Sequence, residues 1–388
     1  MALFVFGLSE AAGASSRMAA VFLVGAALGA VLLSTTFGFA GAYRRFLLLG
    51  DGRGIGAQLL MIALGTALIA PTLALAPRLG LDLAAAGAPL GVQVLVGAAL
   101  FGVGMQLGGG CASGTLFALG AGRLSLLATL LAFCTGAFVA SLHLDRWTAL
   151  PRLPETLLSD RLGWPAAVVL QLFVICGLYL ALCRLHRAPA PPADGEAMRV
   201  PARLRIGPRL AWGAAALAVL NWLTLLVAGH PWAVTWGLTL WGAKLATAVG
   251  WSPPATSLWA SGYPARALHG GLFADTVSTM DFAVVSGALL ASAIAGRFRP
   301  TARLSARSLA AAVAGGLLMG YGARIAFGCN IGAFFSGVSS TSLHGWAWIV
   351  AALAGNWLGV RLRPWFGLDV RTPPVRAALR DSGIVGRS

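Results

Sequence analysis

Residues 97–114 read GAALFGVGMQLGGGCASG, and residues 315–332 read GGLLMGYGARIAFGCNIG. With Cys111 laid on Cys329, Gly97 falls on Gly315, Gly102 on Gly320, Gly104 on Gly322, Gly110 on Gly328 and Gly114 on Gly332. A chain with 51 glycines matches a few of them by chance. Six fixed positions in one short window, one of them a cysteine, point instead to a duplicated unit. Each copy leads into a short apolar piece and then a longer apolar run with a further glycine, Gly136 or Gly355.

The composition says where such a unit resides. Of 388 residues, 58% are hydrophobic and 10% charged, with mean hydropathy +0.81. Soluble domains carry about 25% charged residues, so a water-soluble enzyme is excluded, as is a disordered or fibrous chain. The expected class is an all-α polytopic membrane protein. The net charge of +16 comes from 28 basic residues, all arginine except Lys244, against 12 acids. The arginines punctuate apolar stretches and build no dense stripe, so no nucleic-acid partner is expected. The surrounding partner is membrane lipid.

A crossing takes about 20 mostly apolar residues. Nine stretches satisfy that ruler, near 20–37, 56–76, 89–107, 124–142, 164–184, 209–228, 279–296, 306–324 and 345–361. Four shorter apolar pieces, 38–49, 112–121, 233–248 and 331–342, each follow a Gly- or Pro-rich break and read as re-entrant helices. Irregular backbone at membrane depth is tolerated only where protein buries it or it lines a cavity. The start of the chain, MALFVFGLSEAAGASSR, lacks a basic segment and does not read as a signal peptide.

The expected layout is two pseudo-repeats, 1–163 and 209–388, joined by a linker helix and linker at 164–208. The odd ninth crossing inverts the second half, as in transporters that build sites from broken helices. One side collects 20 of the 28 Lys/Arg, in the loops near 38–55, 108–123, 184–209 and 297–307 and in the C-terminal tail. The positive-inside rule makes that side cytoplasmic. The C-terminus is then inside and the N-terminus outside.

Function is read from the two cysteine breaks. GGGCASG and FGCNIG each place a thiol where a short helix begins. Backbone N–H groups at such a break form an anion-binding concavity, and the helix adds its positive dipole end. Ser113 and Asn330 can donate further hydrogen bonds, and Gly110, Gly114, Gly328 and Gly332 let backbone approach a ligand. A thiol is a soft, weak donor, suited to a sulfur-bearing anion. The plainer account, glycines for close packing and cysteines as filler, fits one motif better than a matched pair. Arg324 draws an anion into the mouth or else snorkels. Lys244 is an intramembrane cation and so a site candidate, or else it sits at an interface. Gln106 is the neutral repeat partner of Arg324. Cys134, Cys176 and Cys183 read as buried packing residues. Trp232, Trp236 and Trp241 read as belt or packing residues, and His143, His230, His269 and His344 as turn or interface residues. Most spans lack acids, which speaks against a proton relay built from carboxylates; Asp275 and Asp281, just before a crossing, are the only close candidates for one. No metal site and no cofactor is expected.

These motifs resemble the YeeE/YedE family of bacterial sulfur-compound transporters. GGGCASG and FGCNIGAFFSGVSSTSLHGWAWI carry the likeness, with PWAVTWGLTLWGAK (231–244) and DFAVVSGALLASAIAGRF (281–298), over roughly 20–362. The resemblance implies an inner-membrane fold of nine spanning helices plus short non-spanning ones, in two inverted halves. It implies uptake of thiosulfate or a related small sulfur anion along a cysteine-lined route. Cys111 looks like the family's middle cysteine and Cys329 like its C-terminal one. It also implies a TusA-like sulfur carrier as a partner. One departure is plain: thiosulfate importers of this family carry a third cysteine in the first re-entrant region, which here reads TTFGFAGAYRRF (35–46). The expected function is therefore a permease and not an enzyme. The alternative is a membrane redox or sulfurtransferase enzyme with Cys111 and Cys329 as persulfide or disulfide carriers.

Overall fold

The computed structural model describes residues 1–189, 199–201, 204–254, 257–298, 300–302 and 305–368. Most of the linker between the repeats (190–198, 202–203) and the tail from 369, both read as cytoplasmic from their arginines, lie outside the described residues.

The apolar runs fold as helices in the expected order. These are α1 (Ala2–Ala14), α2 (Ser16–Thr35), α3 (Phe39–Leu49), α4 (Arg53–Leu75), α5 (Val92–Leu107), α6 (Ala112–Gly120) and α7 (Leu126–Leu142). Two short helices, α8 (Leu144–Thr148) and α9 (Leu158–Leu162), precede α10 (Trp164–Leu185). Then come α11 (Pro208–Ala228), α12 (Thr235–Ala248), α13 (Gly262–His269), α14 (Thr276–Ile294) and α15 (Ala306–Ile325). A π-helical segment, Asn330–Ser336, runs into α16 (Gly337–Ser339), and α17 (Leu343–Leu362) follows.

Among the described residues, seven helical stretches are long and apolar enough to cross a membrane. They are Ser16–Leu49, Arg53–Leu79, Val92–Gly120, Trp164–Leu185, Pro208–Ala228, Thr276–Ile294 and Ala306–Ile325. The first and third each join a long helix to the short piece after its break. The runs near 124–142 and 345–361 are helical too. However, α7 has 17 residues, and α17 carries His344, Asn356, Arg361 and three tryptophans, which dilute its hydropathy. Helix α1 went unread in the sequence; it packs on α2 and α14 through Gly7, against which Phe22 and Phe282 close.

Helices α5 and α15 cross at the centre. A side chain on Gly97 would strike the carbonyl of Gly322, and one on Gly322 the carbonyl of Gly97. Likewise Gly104 meets the Gly315 carbonyl, and Gly315 meets the Gly104 carbonyl. The outer flanks behave in the same reciprocal way. Gly102 of α5 lies on the Ala352 carbonyl of α17, and Gly320 of α15 lies on the Phe133 carbonyl of α7. Small residues allow backbones to approach this closely, and dispersion then holds helices that gain nothing from excluding water. Around this pair, α2 packs on α14, α4 on α11, and α2 on α11. The central cluster of buried residues contains both Cys111 and Cys329.

Helix α10 packs on α4 and stands at the edge. Val169, Phe173 and Leu180 are exposed there. That corrects the reading of Cys176 and Cys183 as buried: Cys176 is exposed and Cys183 half-buried, while Cys134 is buried. An all-apolar helix at the edge of a membrane protein turns its hydrophobic side chains outward, so hydropathy alone does not mark the core. The end of α10 is tied to the start of α4: His186 Nδ1 accepts from Gly52 N at 3.1 Å, and Arg187 N donates to Gly50 O at 2.9 Å. Beside this tie, Asp51 pairs with Arg53 at 2.9 Å and with Arg45 at 3.8 Å. Burial opposes the Asp51 charge, but the Arg53 hydrogen bonds and the two arginine charges outweigh it and hold the carboxyl below its ordinary value.

Candidate functional site

The helix is interrupted ahead of each cysteine by the same local device. Gly109 and Phe327 occupy matched positions two residues before the thiols, and both have positive φ, +81° and +56°. The left-handed residue stops the preceding helix, and the cysteine then caps the next one. Cys111 is the N-cap of α6, its Sγ accepting from Gly114 N at 3.4 Å, and Ser113 Oγ lies 3.5 Å from the same sulfur. Cys329 is the N-cap of the π-helical segment, with the backbone of Ile331 and Gly332 turned to its sulfur. π-Helical turns are rare and cluster at functional positions.

Both thiols are buried, with 3% and 1% exposure, so neither is a surface cysteine. They lie within electrostatic reach of each other. A third helix start joins them, because the Phe39 amide that opens α3 faces the Cys111 sulfur. The break before α12 closes the group, with Ala233 beside Gly332. The four breaks, which the sequence separates by up to some 290 residues, therefore contribute to one buried cluster. Asn330 Nδ2, one residue beyond Cys329, reaches Met105 Sδ of the other motif at 3.3 Å.

The glycines of the site divide into two kinds. At Gly328, φ is +151° and a Cβ would press on Ala333 N, so backbone geometry requires glycine. At Gly332 the nearest atom to a Cβ is 4.0 Å away, and at Gly110 it is 3.5 Å. Gly332 thus leaves room beside it, whereas at Gly110 a Cβ would make ordinary contact with Gly114 and Thr115. Gly114 lies between, with the Cys111 sulfur at 3.2 Å.

Polar clamps hold the breaks in place. Asn221 Oδ1 accepts from Trp232 N at 2.7 Å, Ser336 Oγ donates to Trp232 O at 2.7 Å, and Asn221 Nδ2 reaches Ser336 Oγ at 3.2 Å. Gln106 Nε2 donates to Ala40 O at 3.0 Å and Asn356 Oδ1 at 2.7 Å, fixing α3 against α17. His344, read as a turn or interface residue, is buried and holds Ala326 O at 2.8 Å just ahead of the second break. Tyr43 Oη, near Cys111, is buried without a hydrogen-bond partner, as are Trp232 Nε1 and Asn330 Oδ1.

Arg324 and Lys244 stand apart from the thiols. The Arg324 guanidinium lies 5.4 Å from the ring centre of Trp236, which stacks on Trp259. A cation over an indole face keeps its charge without an acid beside it. Lys244 Nζ donates to Leu268 O at 2.7 Å and Gly270 O at 2.6 Å, tying α12 to the end of α13. The cysteines were legible as a repeated motif. Asn221, Tyr43 and the Ser336 clamp were not, although a polar residue inside an apolar run, such as Asn221, is itself a readable signal.

Chemically, the breaks offer soft S–H donors and helix-start N–H groups, an arrangement that can receive a small anion. Among the described residues, no group of three His, Cys, Asp or Glu can hold a metal.

Residues 34–358 match the family model described as sulphur transport. The chain is 32% identical over 165 residues to the Probable transporter YedE of Salmonella typhimurium, covering 42% of this chain and 40% of that protein. It is 31% identical over 165 residues to its Escherichia coli K12 counterpart, with the same coverage. It is 39% identical over 74 residues to the Thiosulfate transporter TsuA of Spirochaeta thermophila, covering 19% of this chain and 22% of that protein. The chain thus spans well under half the length of the curated relatives it matches.

Proposed function

The chain belongs to the sulphur-transport family, and from that premise we propose that it is an inner-membrane permease importing thiosulfate or a related small sulfur anion. The observation that carries the proposal is that Cys111 and Cys329 belong to one buried cluster, each at the start of a helix and each preceded by glycine. The anion gathers near Arg324 and Trp236. It then passes the narrow place between the breaks, making S–H contacts with Cys329 and Cys111. Amides and side chains of Ser113, Asn330 and the flanking glycines supply the remaining donors. No bond to sulfur forms, and binding stays weak enough to release the anion inward.

In this reading the halves 1–163 and 209–388 are inverted repeats around the 164–208 linker, with nine crossings. The reciprocal glycine contacts of α5 with α15, and the exchange of α7 and α17 between the halves, support that layout. The N-terminus is outside and the C-terminus cytoplasmic, where a TusA-like carrier receives the product. Lys244 serves by fixing the loop before α14. The relatives' names, both transporter and thiosulfate transporter, favour a permease over a sulfurtransferase enzyme.

Uptake of labelled thiosulfate by proteoliposomes containing the purified chain tests the proposal. Cys111→Ala and Cys329→Ala are each expected to lower the rate at least tenfold while leaving the protein folded. Normal rates in both variants would remove the thiols from the route. A Cys111–Cys329 disulfide or a persulfide accumulating during turnover would favour the enzyme reading instead.

A further inference from the structure

Asp281 is the acid that the transport route leaves unexplained. It lies inside α14, in its second turn, and not ahead of the crossing as the sequence suggested. Its side chain is fully buried, and among the described residues neither carboxyl oxygen has a hydrogen-bond partner. It faces α12 at Gly237, where a Cβ would collide with Oδ2. It lies within electrostatic reach of Cys329 and of Cys134 on α7.

The elements packed on α14 bring no cation to it. On α12, Lys244 is engaged with the Leu268 and Gly270 carbonyls. On α2, Arg17 is engaged with the Val227 and Ala228 carbonyls. On α1, Glu10 is exposed. Helix α6 and residues 272–274 bring no charged residue, α6 having only its capping Cys111. Arg324 lies over Trp236. The nearest other acid is Asp275, which caps the same helix. Asp275 accepts from Ser278 N at 2.7 Å, from Trp236 Nε1 at 2.9 Å and from Tyr263 Oη.

A carboxylate buried without a donor or a cation is costly, and a neutral carboxyl much less so. An ionisable group kept inside a membrane segment at that cost generally serves an ion pathway. The charge balance of transport gives it a task. The inside-negative potential opposes entry of an anion, and a proton moving inward with it offsets that opposition.

We propose that Asp281 is a proton-binding site that couples anion import to proton entry, an inference that rests on the permease reading above. An anion at the Cys329 break and a charged Asp281 repel each other. Occupancy by the anion therefore favours the protonated carboxyl, and by linkage the bound proton favours the anion. The proton comes from outer water by way of the Asp275 end of α14. It binds one Asp281 oxygen and is released to the cytoplasm when the anion departs. No other bond is made or broken.

The test measures protons moved per thiosulfate moved, in proteoliposomes loaded with a pH-sensitive dye and held at clamped membrane potential. Wild-type protein is expected to acidify the lumen as thiosulfate enters. One coupled proton gives about tenfold accumulation per unit of inward pH gradient. In Asp281→Asn the ratio of protons to thiosulfate falls to zero, whatever rate remains. If that variant does not fold or is inert, Asp281→Glu replaces it, with a shifted pH for half-maximal uptake expected and an unshifted profile counting against the site. Thiosulfate uptake by wild type without lumen acidification would overturn the proton site and leave the permease standing. Absence of any thiosulfate movement by folded wild-type protein would overturn the permease reading and the proton site with it.

Discussion

Gly328 and Gly332 flank Cys329 under opposite demands, and the difference separates folding from transport. Gly328→Ala forces a side chain into a positive-φ backbone against Ala333 N, a strain of about 1–3 kcal/mol. Its thermal midpoint in detergent should fall. Gly332→Ala meets nothing within van der Waals range, so its midpoint should match wild type while its thiosulfate uptake drops severalfold. Equal uptake in Gly332→Ala and wild type would mean that the open space there is not on the route. The thiols could be read from the sequence because a repeated glycine frame announces itself locally. Their neighbours could not, since Tyr43 reaches Cys111 from a helix some 70 positions earlier and Asn221 reaches Ser336 over more than 100. Asp281 was misjudged as preceding the crossing although the expected run 279–296 already held it; α14 starts earlier, at Thr276, and carries it in the second turn.

Elements were the most legible scale, and their breaks explain why. Turn residues such as Gly109, and a cysteine that can cap a helix, mark boundaries that hydropathy alone blurs. The second short piece is a different case. The run 331–342 reads as a short re-entrant helix, yet it opens as a π-helical turn clamped by Asn221 and Trp232. That geometry belongs to tertiary contacts and leaves no local period. Helix pairing yields a direct test. Gly104→Val places two methyl groups against the Gly315 carbonyl, so overpacking of about 1–3 kcal/mol or more should lower the thermal midpoint. Gly177→Val, on the exposed helix α10 with no atom near its Cβ, should not. The tie between α4 and α10 is sensitive to acid. The Asp51 carboxyl is held below its ordinary value in the folded protein, so its stabilising contribution is present above that value, 3.8. It is lost as pH falls through the lower folded value. Wild-type stability measured from pH 6 to pH 3 should therefore decline more steeply than that of Asp51→Asn, and parallel curves would rule the pairing out as a contributor.

For the whole molecule, the proposed cytoplasmic C-terminus rests on the arginine distribution. A green fluorescent protein fused after Ser388 should fluoresce, whereas an alkaline phosphatase fused there should be inactive; the reverse pattern would invert the topology. The membrane class was legible at once from composition. The way the halves interlock was not, because hydropathy places helices along a line and says nothing of partners. That interlocking has a mechanical consequence. Gly97, Gly104, Gly315 and Gly322 bring the α5 and α15 backbones into direct contact, while α7 and α17 each embrace the central helix of the opposite half. Swinging one half as a rigid block would tear several backbone-to-backbone seams at once. The cheaper motion leaves this keel still and lets the short hinged segments at the cysteines flex by turns, like valves seated in a fixed housing.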